Sequence, residues 1–371
     1  MRIGIAFDLK TDFIPGSPLF DEEKDAPPPD LYEEYDAEET IEAISGALAQ
    51  RGHEPVPLGG GRKFVTNLLH NGIDFVFNMS EGHGGRSREA HVPAVCEMLN
   101  VPYSGSDPLT LALTLDKEMT KRVVLTAGVA TPKFAVVRPG ARLARREHAL
   151  AGAAHRGHRA DPETAIPPAN GHMALDDIEF PVLVKPVHEG SSVGVRKSSR
   201  ASNDRELVAE IRRIHRDYDQ PALIEKFVEG PEYTVGILGN GKSARLIGAM
   251  EIRPKRGAPE EFVYSLELKR NWREEVEYRV NPPMAPGARK ALEDAARTVY
   301  EVLGCRDVSR LDFRMDGDGV PCFLEVNPLP GLNPESSDLP ILAYGAGWTY
   351  DDLVGGVLDH ALERCGKNPV L

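Results

Sequence analysis

The amino-acid sequence predicts a layered α/β unit followed by an α+β region. Three observations carry that reading. The first ~110 residues alternate short β-like runs with helical periods, as a unit built on a mainly parallel sheet does. Beyond Phe180 the apolar period returns to two over successive runs, the pattern of antiparallel strands with one face buried. Between the two, Arg138–Glu179 loses all period and turns to Ala, Arg, His, Pro and Gly.

In the first region the strand candidates are Ile3–Phe7, Glu54–Leu58 and Asp74–Met79. Asp36 reads as the N-cap of a helix, with Glu39 as its capping-box partner, Ile41, Ile44 and Leu48 on one face and Gly52 as the stop. The acids and prolines of Asp21–Asp36 read as a loop carried by the strand-to-helix connection. Further helices are expected over Glu89–Asn100 and Pro108–Ala127, the latter ended by Gly128 and Pro132. The segment 138–179 reads as an insertion, and its histidines lack the paired spacing of a metal site. Strands follow at Pro181–Lys185, Val193–Lys197, Ala222–Phe227, Tyr233–Leu238, Arg245–Ile252 and Phe262–Leu268. Ala288–Leu303 is a helix stopped by Gly304, Arg310–Met315 and Val320–Val326 form a hairpin about Asp316–Gly319, and Tyr350–Arg364 is the last helix. The domain reading is 1–112, 113–205 with the insertion, and 206–371.

With 371 residues and a net charge of −13, the chain is long enough for two or three domains and repels phosphate backbones as a whole. Nucleic acid and anionic membrane are therefore excluded as generic partners. No apolar stretch reaches membrane-span length, and MRIGIAFD meets an acid at Asp8 before a signal-peptide core forms, so the expected location is cytoplasmic. Cys96, Cys305, Cys322 and Cys365 show no metal or redox spacing and read as free thiols.

Three segments carry chemistry. In Pro181–Val195 a Gly-Ser-Ser turn follows Lys185, a place where backbone N–H groups and hydroxyls can lie on a phosphate, although the lysine stands on the wrong side for a Walker loop. Ile224–Tyr233 carries two acids seven apart, Glu225 and Glu232, acceptors of the sort a nucleoside pocket requires. The third segment is Arg310-Leu-Asp312-Phe with Leu324-Glu325-Val-Asn327-Pro-Leu-Pro-Gly331. Strand residues two apart share a face, so Arg310 and Asp312 converge with Glu325 and Asn327 across one antiparallel pair. Carboxylate and amide oxygens beside a cation suit Mg²⁺ and a transferred phosphoryl group. The Asp316–Gly319 turn imitates part of an EF-hand and fails at Val320, which has no ligand oxygen.

In order, Leu115-Asp116-Lys117, Val184-Lys185-Pro186, Glu189-Gly-Ser-Ser-Val-Gly194, Ile224–Glu232, Leu268-Lys269, Arg310-Leu-Asp312-Phe and Leu324–Gly331 resemble the ATP-grasp enzymes, most closely the D-alanine–D-alanine ligase family. The resemblance implies an ATP-grasp fold with an N-terminal parallel α/β domain, a mobile central lid and a C-terminal mixed-sheet domain. It implies a cytoplasmic, ATP-dependent amide-forming ligase of peptidoglycan synthesis, working through an acyl phosphate on small amino acids, with homodimer formation left open. Lys117, Lys185 and the Glu189-Gly190-Ser191-Ser192 loop correspond to phosphate ligands, Glu225, Lys226 and Val228 to the adenine site and Glu232 to the ribose site. Lys269 resembles the γ-phosphate lysine. Asp312, Glu325 and Asn327 correspond to the ligands of two Mg²⁺ ions, for which Mn²⁺ can substitute. Arg310 and the Gly331 N–H resemble the oxyanion-stabilising pair, and Ser192 a substrate-positioning serine. His83 falls at a substrate-side His-Gly motif, and Ser336 or Ser337 at the serine that binds the substrate carboxylate.

The departures gather at the acceptor end. The family's N-terminal glutamate for the second amino acid's ammonium is missing from Phe7–Pro29, which leaves Asp36, Glu38 and the Glu81–His83 loop as candidates. Arg270 replaces an aromatic residue, and its charge favours an acceptor with an extra carboxylate or lacking a cation. A ligase for another amino acid, hydroxy acid or peptide in specialised metabolism is the nearest alternative; a non-catalytic nucleotide-binding regulator and a structural module are the others.

Overall fold

The computed structural model describes residues 1–13, 28, 30–141, 171 and 173–367. Strands β1 (Arg2–Ala6), β2 (Glu54–Pro57) and β3 (Phe75–Asn78) pair in parallel in the order β2-β1-β3. Their apolar residues serve both faces, as a parallel sheet requires. Ile3, Ile5, Phe75 and Phe77 pack with Ile44 and Leu48 of the helix Glu38–Gln50. Ala6 and Val76 turn the other way, onto Phe64 and Leu68 of the helix Gly61–His70 and onto Val92.

Asp36 is not the cap of the first helix. Its backbone bridges to Leu9, taking the Lys10 N–H at 3.1 Å and donating to the Asp8 carbonyl at 2.9 Å, one residue too early to cap. Ala37 occupies the N-cap without a side-chain bond. The helix expected over Pro108–Ala127 is two helices, Pro108–Leu115 and Lys117–Thr126. Asp116 breaks it: its carboxylate accepts the Met119 N–H at 3.0 Å, so the residue caps a new helix and places Lys117 in that helix's first turn.

A four-stranded antiparallel sheet follows, with β4 (Phe134–Val137), β5 (Val182–Pro186), β6 (Arg200–Ala201) and β7 (Ala222–Lys226) in the order β4-β7-β5-β6. The helix Asp204–Tyr218 lays Leu207, Val208, Ile211 and Ile214 on Val182, Val184 and Ile224. Since β7 lies beyond residue 205, a boundary there cuts through this sheet. Val193–Lys197 is not a strand: Ser191, Ser192 and Gly194 all have positive φ, which no strand accommodates. Most of 138–179 lies outside the described residues, as do 14–27 and 29. The part described is no bystander, because the Gly171 carbonyl accepts from Phe134, Met173 donates to the Phe134 carbonyl at 2.7 Å, and Leu175 and Ile178 pack on the sheet's core.

The last sheet runs β10-β9-β8-β11-β12, all antiparallel, from β8 (Glu232–Leu238), β9 (Arg245–Pro254), β10 (Val276–Val280), β11 (Val308–Met315) and β12 (Pro321–Asn327). The strand expected at Phe262–Leu268 is a turn leading into a short helix, Leu266–Arg270, because β10 occupies the edge of β9 instead. Helix Pro286–Val302 covers one face; Asp338–Gly345 and Tyr350–Arg364 cover the other, in a core continuous with Ile3, Ile5 and Ile44 of the first sheet. No helix among the described residues is long and apolar enough to cross a membrane.

Fully buried Asp307 ties these parts together. Its carboxylate accepts from the Gly105 N–H (2.8 Å), Asn240 (2.8 Å) and the Arg364 guanidinium (2.7 Å). Replacing it by Ala leaves Arg364 without its partner, so Asp307→Ala is expected to lower stability in urea unfolding by about 3–5 kcal/mol. A loss below about 1 kcal/mol would show that the contact is redundant.

Candidate active site

The β11–β12 register sets the chemistry. Arg310 lies directly opposite Asn327, and Asp312 opposite Glu325, as expected for residues two apart on facing strands. Arg310, Asp312 and Glu325 line a cleft of about 890 Å³ between the four-stranded sheet and the five-stranded one, with Lys185 and Lys226 on the first and Glu232 and Lys269 on the second side.

Charge density in this cleft is high and ordered. Lys121 is fully buried and pairs with Glu225 at 2.5 Å; Lys185 takes the other Glu225 oxygen at 2.9 Å and approaches Glu325 at 3.6 Å. Burial opposes the charge on Lys185, but Glu225 and Glu325 override it and raise its pKa. Burial likewise opposes ionisation of Glu325, yet Lys117, Lys185, Arg310 and Lys269 hold its carboxyl down at about 2. Lys117 and Lys269, by contrast, are lowered by burial. Arg310 binds Asp312 at 3.1 Å and Asp338 at 3.3 Å, and Thr234 donates to Asp312 at 2.6 Å.

A divalent cation fits this donor set. Asp312 and Glu325 face one another as cross-strand partners, and Glu325 is partly open to the cleft. Among the described residues Asn327 Oδ1 accepts only the Leu329 N–H, at 3.0 Å, and keeps a lone pair. Among the described residues no group of three or more His, Cys, Asp or Glu gathers to hold a metal by itself. Mg²⁺ held by so few protein groups would need phosphate or water oxygens as well.

Lys117, Glu189, Ser192, Val228 and Glu232 all line the cleft; Ser191 and Asn327 line a neighbouring cavity that shares Lys117, Glu189 and Glu325. Ser191 and Ser192 have φ of 46° and 62°, a left-handed pair that turns successive N–H groups to one side. Ser192 Oγ donates to the Tyr264 carbonyl at 3.1 Å.

Several expectations change. The Glu225 carboxylate, which lines the cleft, already takes Lys121 on one oxygen and Lys185 on the other. Lys226 Nζ bonds the Glu179 and Phe180 carbonyls, each at 3.3 Å. His83, Gly331, Ser336 and Ser337 line neither cavity. His83 is exposed, with Nδ1 3.5 Å from Tyr35; Ser336 turns its hydroxyl to Asn333 at 2.9 Å, and Ser337 Oγ accepts the Asn333 N–H at 3.0 Å. Arg270 pairs with Glu33 (Nε at 2.9 Å), so its charge is not offered to an acceptor. Sequence reasoning missed Lys121, Glu34, Arg88 and Arg314. Arg314 binds Glu232 at 3.0 Å and the Val228 carbonyl at 2.7 Å, and its place two residues after Asp312 was the signal. Arg88 gave none, since its partners Glu34 and Glu189 are distant in sequence.

This is an ATP-grasp architecture. A solved D-alanine–D-alanine ligase from Bacillus anthracis, complexed with ATP, matches it with a TM-score of 0.68 over 98% of both chains at 21% identity. The chain belongs to the D-alanine–D-alanine ligase family: the family described as D-ala D-ala ligase C-terminus matches residues 168–359. The D-alanine–D-alanine ligase of Syntrophotalea carbinolica is 31% identical over 325 residues, covering 88% of this chain and 91% of that protein. The uncharacterized protein y4sG of Sinorhizobium fredii is 30% identical over 344 residues and 89% of each chain.

Asp36 gives a pH test of the neighbouring first unit. Burial, with Asp8 adding to it, pushes its carboxyl up to about 7. Above the ordinary 3.8 the unfolded chain releases this proton while the folded one keeps it, so stability falls as pH rises toward 7. Asp36→Asn should raise Tm at about pH 8 and leave it unchanged at about pH 4. Parallel Tm profiles for the two proteins would contradict this.

Proposed function

We propose that the chain is an ATP-dependent carboxylate–amine ligase that activates D-alanine as an acyl phosphate and joins it to an amino group, in the first instance that of a second D-alanine. The observation that carries this reading is the set of four cations, Lys117, Lys185, Lys269 and Arg310, that line the cleft together with Glu325, Lys117 and Lys185 within 4 Å of it. Such a set neutralises a polyphosphate and supplies no nucleophile, which is what phosphoryl transfer asks of a protein.

A substrate carboxylate oxygen forms a bond to the γ-phosphorus as the bond to the β-phosphate oxygen breaks, giving ADP and an acyl phosphate. The amine then adds to the acyl carbon, phosphate leaves, and the nitrogen gives up a proton. Lys185 and Lys117 hold phosphate oxygens in place, with the Ser191–Ser192 turn presenting N–H groups to them. Lys269 and Arg310 face the charge that develops on the transferred phosphoryl and on the acyl oxygen, in a site where water is scarce and charges act strongly. Mg²⁺ bound by Asp312, Glu325, Asn327 and phosphate oxygens would supply further charge neutralisation. The sheet β4–β7 acts as the lid, and we place its boundary after Lys226, where that sheet ends. On this reading the enzyme acts in the cytoplasm, in peptidoglycan synthesis.

ADP release with D-alanine, ATP and Mg²⁺ tests the reading. Excess chelator should abolish turnover, and Glu325→Gln should lower it about 10²-fold or more with an unchanged circular dichroism spectrum. Full turnover in chelator would remove the metal assignment, and no release with any amino acid would remove the ligase assignment.

A further inference from the structure

The neighbouring cavity, about 430 Å³, has charges that do not balance. Among the described residues Glu34, Glu81, Glu89, Glu189 and Glu325 line it, against one lining cation, Lys117. Arg88, beside it, is saturated: its guanidinium donates to Glu34 at 2.6 Å, to Glu189 at 3.1 Å and to the His188 carbonyl at 2.8 Å. Lys117 donates to the Glu189 carbonyl and lies 3.9 Å from Glu325. Two carboxylates are left over. Glu89 is only 7% exposed, lines the cavity, and has no hydrogen bond or ion pair among the described residues; Glu81 also lines it and has none.

A buried carboxylate without a partner is costly, and burial raises the pKa of both groups, Glu89 to about 7. A cation entering the cavity relieves that cost. Glu81 and Glu89 lie outside the Asp312, Glu325 and Asn327 set assigned to Mg²⁺, and no three acidic, His or Cys groups among the described residues converge on one point, so a second, protein-held metal ion does not match them. An organic ammonium, whose N–H donors can be spread along a carbon chain, does. The cavity shares Lys117, Glu189 and Glu325 with the main cleft, so one molecule can lie across both, with its carboxylate toward Arg310 and Lys269.

Building on the ligase reading above, we propose that Glu81 and Glu89 hold two ammonium groups of the substrate that is activated, which is a diamino acid in preference to D-alanine. One α-ammonium would balance only one of the two carboxylates.

The test compares D-alanine with both enantiomers of 2,3-diaminopropionate, 2,4-diaminobutyrate, ornithine and lysine, using the full chain with ATP and Mg²⁺ and reading ADP release and product mass. At least one diamino acid should exceed D-alanine about tenfold or more in kcat/KM. Glu89→Gln and, separately, the less buried Glu81→Gln should each cut that advantage about tenfold through KM for the amino acid, with KM for ATP changed less than about twofold. Equal or better turnover of D-alanine, or an advantage that survives both substitutions, overturns the proposal. Calorimetric titration of the chain with each amino acid, in the presence of a non-hydrolysable ATP analogue, separates the two readings. If no amino acid releases ADP the ligase reading falls, while tighter binding of a diamino acid than of D-alanine still supports the cavity assignment and equal binding overturns it.

Discussion

The buried chain of alternating charge from Lys121 through Glu225 and Lys185 to Glu325 is the constraint on which the rest depends. Lys121 and Glu225 are almost wholly removed from water, so neither can be left alone without a penalty of several kcal/mol. Lys121 comes from the helix Lys117–Thr126, Glu225 and Lys185 from neighbouring strands of the lid sheet, and Glu325 from the last strand of the body. Meeting the charge requirement of one therefore fixes the approach of the others. The cleft between the sheets is the space left when these groups are satisfied, and Lys117, Lys185, Lys269 and Arg310 along its lining are what make it suited to phosphate.

A second set of contacts works from the other side. Asp30, fully buried, accepts from the Gly194 N–H at 3.0 Å, the Tyr218 hydroxyl at 2.8 Å and Arg196 at 2.9 Å. Glu34 meets Arg88 and the Gly190 N–H, and Glu33 meets Arg270. Asp30 and Glu34, acids of the segment read as a connecting loop, thus bind the very turn that follows Lys185. Asp30 and Glu34 each accept one backbone N–H of that turn, from Gly194 and Gly190, which flank the left-handed pair Ser191 and Ser192. The acid-rich loop is part of the site's frame.

Local spacing made the hairpin legible. Arg310, Asp312, Glu325 and Asn327 meet in register because period two and a short turn leave a strand pair little choice. The same logic failed at Phe262–Leu268, where an alternating apolar run lost its sheet edge to β10. It failed again at Val193–Lys197, where glycine and two serines adopt positive φ. At Asp116 the sequence held the cap, but a continuous helical period concealed the break. Edge occupancy and backbone sign depend on neighbours that a local window does not contain.

By itself the sequence determined the two-part fold class, the motif order and the hairpin that faces Asp312 with Glu325, because these rest on period, turn chemistry and short-range spacing. Tertiary structure alone decided which charges are spent and which remain available. Glu225 is consumed by Lys121, Arg270 by Glu33 and Arg88 by Glu34 and Glu189, whereas Glu81 and Glu89 are left facing a cavity. The physical reason is that a charged side chain's role is set by the partner it meets after burial, and every one of these partners comes from another part of the fold or is withheld by it.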